Sequence, residues 1–138
     1  MKTLTCILLM AFLHIQTVYV QNKDFINDLH GRWIFADNLD CPDLLDFNSN
    51  GTYSVFNDCG SLNPEHPVIE KGSWKFESKE KVLILFKREF VSPNSVFSEY
   101  HGKEDSLSFK IKELNSSKLT ICFINDNNYI VENYIRLP

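Results

Sequence analysis

The sequence predicts an all-β domain: an up-and-down antiparallel barrel of about eight strands with a short N-terminal helix. Two observations predict it, namely short segments in which apolar and polar residues alternate, and turn-forming clusters between most of them. The segments are residues 31–37, 43–48, 52–58, 69–76, 82–90, 106–113, 119–125 and 129–137. Short hairpin connections favour a barrel over a two-sheet sandwich, which usually needs some longer crossings.

Alternation also identifies the face of each strand that points inwards. A sheet with one apolar face can bury that face by curling and closing on itself. Residues 23–29 have helical spacing instead, and we expect this helix to plug one end of the barrel. The residues expected on the inner face are Leu45, Phe47, Tyr53, Val55, Trp74, Phe76, Leu107, Phe109, Ile111, Leu119, Ile121 and Phe123.

Residues 1–20 have the pattern of a secretory signal peptide. One basic residue, Lys2, precedes an apolar run over residues 4–13, and more polar residues follow. This run is shorter than the roughly twenty residues that span a bilayer, so no stable membrane insertion is expected. The sequence therefore predicts cleavage near residue 20, a single domain over residues 21–138, and a secreted or periplasmic location.

Charge and polar motifs limit the function classes. The formal net charge is −4 with both signs scattered, which disfavours nucleic acid as a partner. His30, His66 and His101 are dispersed and belong to no metal-binding motif, and no local signature of a catalytic nucleophile is present. We therefore expect no metal site, no cofactor and no enzymatic activity.

The cysteines predict one disulfide. Cys6 leaves with the signal peptide, and Cys41 and Cys59 lie at equal distances from Asn50 in a predicted turn. A hairpin in register would place these two cysteines opposite each other, where an exported protein can join them. Cys122 remains, on the expected outer face of its strand; it is either a partly covered inert thiol or the site of an intermolecular disulfide.

Several motifs together resemble those of lipocalin-like proteins, the calycin group. They are Gly-x-Trp at residues 31–33, the stretch FNSNGTY at 47–53, a second Gly-x-Trp at 72–74, and the pair IKEL at 111–114 and KLTI at 118–121. The resemblance covers most of residues 21–138. It implies a small secreted, cup-shaped barrel with a central cavity, closed at the end where the tryptophan of the first strand packs.

The resemblance also implies how that end is closed. A basic residue of the last strand covers the ring of Trp33, and Arg136 occupies the matching position. Gly31 lets the backbone pass close beneath a large side chain, and Trp33 supplies a large apolar area. We interpret Gly31, Trp33 and Arg136 as a structural closure rather than as ligand contacts.

The predicted function is binding, with two alternatives. In the first, the barrel holds a small apolar molecule lined by Tyr53, Trp74, Phe76, Phe109 and Phe123, although these side chains could equally fill a tight core. In the second, the chain is an exported inhibitor of hydrolases or a protein-interaction module on the same barrel. Residues 21–28 would then be the inserting arm.

Overall fold

The computed structural model describes residues 25–37, 42–57, 68–91, 102–125 and 128–138. A short helix, α1, covers residues 25–29. The eight strands are β1 (Gly31–Phe35), β2 (Asp43–Phe47), β3 (Thr52–Asn57), β4 (Val68–Glu77), β5 (Val82–Phe90), β6 (Ser106–Leu114), β7 (Lys118–Asn125) and β8 (Asn128–Arg136).

The strands form a closed barrel in chain order. Each strand pairs antiparallel with the next, and β1 closes the barrel by pairing with β8 through Trp33 and Arg136 and through Ile34 and Ile135. The predicted up-and-down barrel of eight strands with a short N-terminal helix is confirmed, and the two-sheet sandwich is excluded. No helix within the described ranges is long and apolar enough to cross a membrane.

The predicted strand boundaries differ from the observed ones by at most two residues. The largest difference is in β1, which ends at Phe35 because Ala36 and Asp37 form a turn. The strand β5 has the predicted bounds. Of the helix predicted at residues 23–29, residues 23 and 24 lie outside the described residues, as does the whole predicted signal peptide.

The inner face is apolar, as the alternation predicted. All twelve residues expected on this face belong to one core cluster or, in the case of Phe76, pack against it. The cluster also contains Leu29, Trp33 and Tyr134, from α1, β1 and β8, and Ile69, Leu83 and Leu85, from β4 and β5. Burial of this continuous apolar surface is the main force that holds the barrel closed.

The two ends of the barrel differ. At the end where β1 begins, residues 48–51, 78–81 and 115–117 join consecutive strands by short turns. In the first of these turns Gly51 has a φ of +82°, which a residue without a Cβ atom adopts readily. We call this the closed end. At the opposite end β3 and β5 end and β4 and β6 begin, and the intervals of sequence between them, 58–67 and 91–105, are the longest between strands.

The hairpin of β2 and β3 has the register that the predicted disulfide requires. Asp43 pairs with Asn57 and Leu45 with Val55, so the pairing is centred on residue 50. Cys41 and Cys59 themselves lie outside the described residues, and their disulfide stays a prediction. Cys122 is a free cysteine at an outer-face position between Lys110 and Val131, and it is only 1% exposed. Its thiol is therefore more deeply covered than expected.

Candidate binding site

The closed end is built by α1 and the indole of Trp33. Leu29, the last residue of α1, is fully buried in the core, and the indole Nε1 of Trp33 donates a hydrogen bond of 2.9 Å to the Leu29 carbonyl oxygen. The last carbonyl groups of a helix have no partner within the helix. Trp33 therefore both fills the end of the barrel and satisfies the end of the helix.

Arg136 covers the same ring from the last strand. Its Cζ lies 4.4 Å from the centroid of the Trp33 ring, within range of a cation–π interaction. Its guanidinium also donates to the carbonyl oxygens of His30, at 2.6 Å, and Asp28. A Cβ atom at Gly31, where φ is +113°, would lie 3.0 Å from Nη1 of Arg136. These contacts attach α1 to β1 and to β8, the two strands whose pairing closes the barrel.

Two of the five predicted ligand residues lie against this closed end. The ring of Phe76 stacks on the ring of Phe25 in α1, with 4.7 Å between ring centroids. The ring of Trp74 meets the ring of His30 edge-on, with 5.5 Å between ring centroids. The indole Nε1 of Trp74 donates to the carbonyl oxygen of Asn48 at 3.1 Å. Trp74 and Phe76 therefore form the inner surface of the closed end.

The other three predicted ligand residues lie further along the inner face. Phe109 and Phe123 are paired across β6 and β7, with 5.4 Å between ring centroids. Tyr53 on β3 lies opposite Gly72, and a Cβ atom at that glycine would be only 2.7 Å from Cε1 of the tyrosine ring. The structure thus places all five on one continuous face, in two groups: Trp74 and Phe76 at the closed end, and the other three along the wall.

An ion pair that was not predicted from the sequence lies inside the barrel. Arg88 donates from Nε to Glu70 Oε1 at 2.7 Å and from Nη2 to Oε2 at 3.0 Å, and both side chains are 0% exposed. The hydroxyl of Tyr53 donates to the same Oε1 at 2.5 Å. Burial first, and then the hydrogen bond to Glu70, raises the pKa of Tyr53 well above its ordinary value.

A β-bulge turns Arg88 inwards. Lys71 pairs with Glu89 and Ser73 with Phe86, so the single residue Gly72 faces two residues of β5. One of those two, Lys87, has a φ of +53°, which is uncommon for a residue with a side chain. The extra residue reverses the order in which side chains face inwards and outwards. The Arg88 side chain therefore points into the barrel, and the Lys87 side chain points outwards.

The remaining Arg88 donor reaches the segment that leads into β6. Nη1 donates to the carbonyl oxygens of Gly102 at 3.1 Å and Glu104 at 2.8 Å. The guanidinium carbon also lies 4.8 Å from the centroid of the Phe90 ring. The buried arginine therefore ties residues 102–104 to the wall formed by β4 and β5.

A second buried carboxylate lies on the inner face of β8. Glu132 pairs with the core residue Ile121 and is 6% exposed, and Tyr134 donates from its hydroxyl to Glu132 Oε2 at 2.8 Å. Burial, and next the negative charge of Glu132, raise the pKa of Tyr134 well above its ordinary value, with smaller contributions from Asp43 and Asp37. Glu132 and Tyr134 were not among the residues predicted from the sequence.

The described residues offer no metal site. No three histidine, cysteine or acidic side chains among them come close enough to hold an ion. His66 and His101, which belong to no metal-binding motif in the sequence, lie outside the described residues.

Comparison with known proteins rests on structure alone. No family model matches the sequence, and no curated protein matches it. A lipocalin-like protein from Bacteroides uniformis, known from its crystal structure, superposes with a TM-score of 0.50 at 17% sequence identity. The superposition covers 79% of this chain and 97% of the bacterial one.

The chain has a lipocalin-like fold. At this identity the likeness extends to the fold only, and the ligand has to be argued from the residues of this barrel. Within the lipocalin-like fold, α1, Trp33 and Arg136 close one end, and the aromatic wall and the two buried carboxylates lie inside.

Proposed function

We propose that this lipocalin-like protein binds a small apolar molecule inside its barrel. The observation that carries the proposal is the asymmetry of the barrel: α1, Trp33, Arg136 and short turns close one end, whereas at the other end consecutive strands are separated by the longest intervals of sequence, after β3 and after β5. An apolar interior with one closed end and a few polar groups is the usual form of a small-molecule site.

We propose that the five predicted ligand residues act in two groups. Phe109 and Phe123 contact the ligand along the wall, together with the ring of Tyr53, whose hydroxyl is engaged by Glu70. Trp74 and Phe76 limit how deep the ligand reaches, because Phe25 and His30 hold them at the closed end.

Titration of the fluorescent probe N-phenyl-1-naphthylamine into the protein comprising residues 21–138 tests this proposal. We expect saturable binding that the Phe123→Ala variant weakens by about tenfold, since a large buried apolar contact is lost. Val131→Ala is the matched control, because Val131 lies on the outer face of β8 and is 50% exposed. Absence of saturable binding to the unmodified protein would refute the proposal.

The inhibitor alternative requires residues 21–28 to act as a free arm. In the described part of this segment, Phe25 stacks on Phe76 and the Asp28 carbonyl accepts a hydrogen bond from Arg136. These contacts hold the described part of the segment against the closed end, so we propose ligand binding in preference to insertion into a hydrolase.

We also propose that the protein is exported, to the outside of the cell or to the periplasm, after removal of residues 1–20. The n-, h- and c-region pattern of this segment supports the proposal. N-terminal sequencing of the protein recovered from the extracytoplasmic fraction should give a chain that begins near Gln21. Retention of Met1 in a protein confined to the cytoplasm would refute it.

A further inference from the structure

A groove on the outer wall of the barrel is separate from the proposed interior site. Its volume is about 360 Å³, within the range of about 300–1,000 Å³ that small-molecule sites occupy. Thr52 pairs with Ser73 and Ser54 with Lys71 at outward-facing positions, so the groove opens to solvent and not into the barrel. The outward-facing side chains that line it come from β3, β4 and β5: Thr52, Ser54, Lys71, Ser73, Lys87 and Glu89.

The β-bulge between β4 and β5 brings Lys87 into this groove. Two residues of β5 lie opposite Gly72, and the one that points outwards, Lys87, has a φ of +53°. This conformation is strained for a residue with a Cβ atom, and such strain is concentrated at functional sites. Bulges also re-aim single side chains next to such sites. The irregularity that turns Arg88 inwards therefore also delivers an ammonium group to the groove.

The groove carries a positive charge. Lys71 and Glu89 form an ion pair of 3.3 Å, but their side chains are 51% and 66% exposed, where such pairs contribute little. Among the described residues, no carboxylate pairs with Lys87. With two ammonium groups and one carboxylate, the groove has a net charge of +1 at neutral pH. An anion that enters beside Lys87 therefore meets a cation that no described carboxylate neutralises.

Hydroxyl groups supply hydrogen-bond donors next to the two lysines. The hydroxyl of Thr52 is already engaged, since it donates to Oδ1 of Asn50 at 2.7 Å. Ser54 lies opposite Lys71 across β3 and β4, and Ser73 lies two residues further along β4 on the same face. Ammonium and hydroxyl donors together are complementary to a group with a negative charge and several acceptor oxygens.

We infer that this groove binds an oxyanion, a phosphate or sulfate group. Lys87 supplies the main positive charge and Lys71 the second, and the hydroxyls of Ser54 and Ser73 donate hydrogen bonds to the remaining oxygens. The Glu89 carboxylate repels an anion, so the oxyanion lies on the side of the groove away from it.

Titration of sodium phosphate or sodium sulfate into the protein comprising residues 21–138 tests the inference. Sodium chloride keeps the ionic strength constant, so that general screening does not change. We expect saturable shifts of the backbone amide resonances of Lys71, Ser73 and Lys87 in NMR spectra, with a Kd of about 1–10 mM for a few exposed contacts. Shifts that do not saturate, or that are no larger here than on the rest of the surface, overturn the inference.

Glucose 6-phosphate distinguishes a free ion from a group carried by a small molecule. Binding at least as tight as that of phosphate supports an oxyanion that belongs to a larger ligand. Binding of phosphate with exclusion of the sugar phosphate supports the free ion.

Lys87→Gly removes the ammonium group and relieves the strained backbone at the same position. The variant should bind phosphate at least about fivefold more weakly. It should also unfold at a urea concentration no lower than that of the unmodified protein, so lost binding does not reflect lost folding. Lys81→Gly is the matched control, because Lys81 is exposed and has a φ of +54° but lies in the turn between β4 and β5, outside the groove. It should gain the same relief and leave phosphate binding unchanged.

Lys87→Arg keeps the positive charge and should retain the phosphate affinity to within about twofold. Unchanged affinity in Lys87→Gly overturns the inference. Equal weakening by Lys81→Gly also overturns it, because binding would then follow the net charge of the protein alone. Binding of N-phenyl-1-naphthylamine, which tests the proposed function, should be the same in all three variants, so the two claims stand or fall separately.

Discussion

Arg88 and Glu70 meet inside the barrel through two parallel hydrogen bonds of 2.7 and 3.0 Å, with neither side chain exposed. Withdrawing two charges from water is costly, and their attraction offsets that cost only while both are present. Replacing such a pair by apolar residues of similar volume is often neutral or stabilising, whereas removing one partner is strongly destabilising. Removing one partner should therefore lower the free energy of unfolding more than removing both.

Loss of Arg88 alone should destabilise the fold strongly. The variants are made in a Tyr53→Phe background, so that replacing Glu70 does not leave the Tyr53 hydroxyl without its hydrogen-bond acceptor. In this background Arg88→Met should lower the free energy of unfolding by about 3–5 kcal/mol, because the Glu70 carboxylate stays buried without a cation. Adding Glu70→Leu should recover most of this loss. Urea unfolding measures each variant, and a triple variant no more stable than the double one would contradict the argument.

The sequence predicted the apolar inner face but not the buried charges. In β5 residues 82–86 are apolar at every position, so alternation does not identify an inner face there, and the bulge at Lys87 is what turns Arg88 inwards. In β8 the apolar residues mislead, because Tyr129 and Val131 are exposed while Glu132 is buried. Bulges and the register with neighbouring strands decide these orientations, and neither is encoded in the periodicity of a single strand.

Gly72 should be a position where even a methyl group is harmful. A Cβ atom there would lie 2.7 Å from Tyr53 Cε1 and 2.9 Å from the carbonyl oxygen of Phe86, and the latter cannot rotate away. We expect Gly72→Ala to cost about 2–3 kcal/mol in urea unfolding.

Gly102→Ala separates crowding from backbone strain. Gly102 has a φ of +73° with no atom within 4 Å of a built Cβ, so only the strain of about 1 kcal/mol is expected. Equal losses at Gly72 and Gly102 would show that the predicted contacts with Tyr53 and Phe86 relax freely.

Arg136→Lys should loosen the closed end. Lysine keeps the charge but lacks the planar group that lies over Trp33 and donates to the carbonyl oxygens of His30 and Asp28. We expect a loss of about 1–3 kcal/mol and faster amide exchange in residues 25–30, measured by hydrogen exchange.

Arg32→Lys is the matched control for the closed end. Arg32 lies on β1, next to Trp33, and pairs with Asp46 of β2 at 3.0 Å on the exposed surface, where such pairs contribute less than about 1 kcal/mol. If Arg32→Lys lowers the free energy of unfolding as much as Arg136→Lys does, and Arg136→Lys does not speed amide exchange in residues 25–30, the guanidinium over Trp33 contributes nothing specific.

The two buried tyrosines should make stability fall at alkaline pH. The pKa values of Tyr53 and Tyr134 are raised in the folded state, so above the ordinary value of about 10 the unfolded chain loses protons that the folded chain retains. The free energy of unfolding should therefore decrease as pH rises beyond that value. Urea unfolding between about pH 8 and pH 11 measures this slope, and it should be smaller in a Tyr53→Phe/Tyr134→Phe variant. An identical slope in that variant would contradict the assignment.

Thiol counting should distinguish Cys122 from the other two cysteines of residues 21–138. Cys122 is 1% exposed, so its thiol should react with a water-soluble reagent only after the protein is unfolded, and it should then be the single reactive thiol of each chain.

Cys41 and Cys59 should react only after reduction, since the register of Asp43 with Asn57 suits a disulfide between them. A Cys41→Ser/Cys59→Ser variant should lose roughly 3 kcal/mol of stability, the entropic value for a loop of this length. Three reactive thiols in the unreduced, unfolded protein would refute the disulfide, and rapid reaction of the folded protein would refute the burial of Cys122.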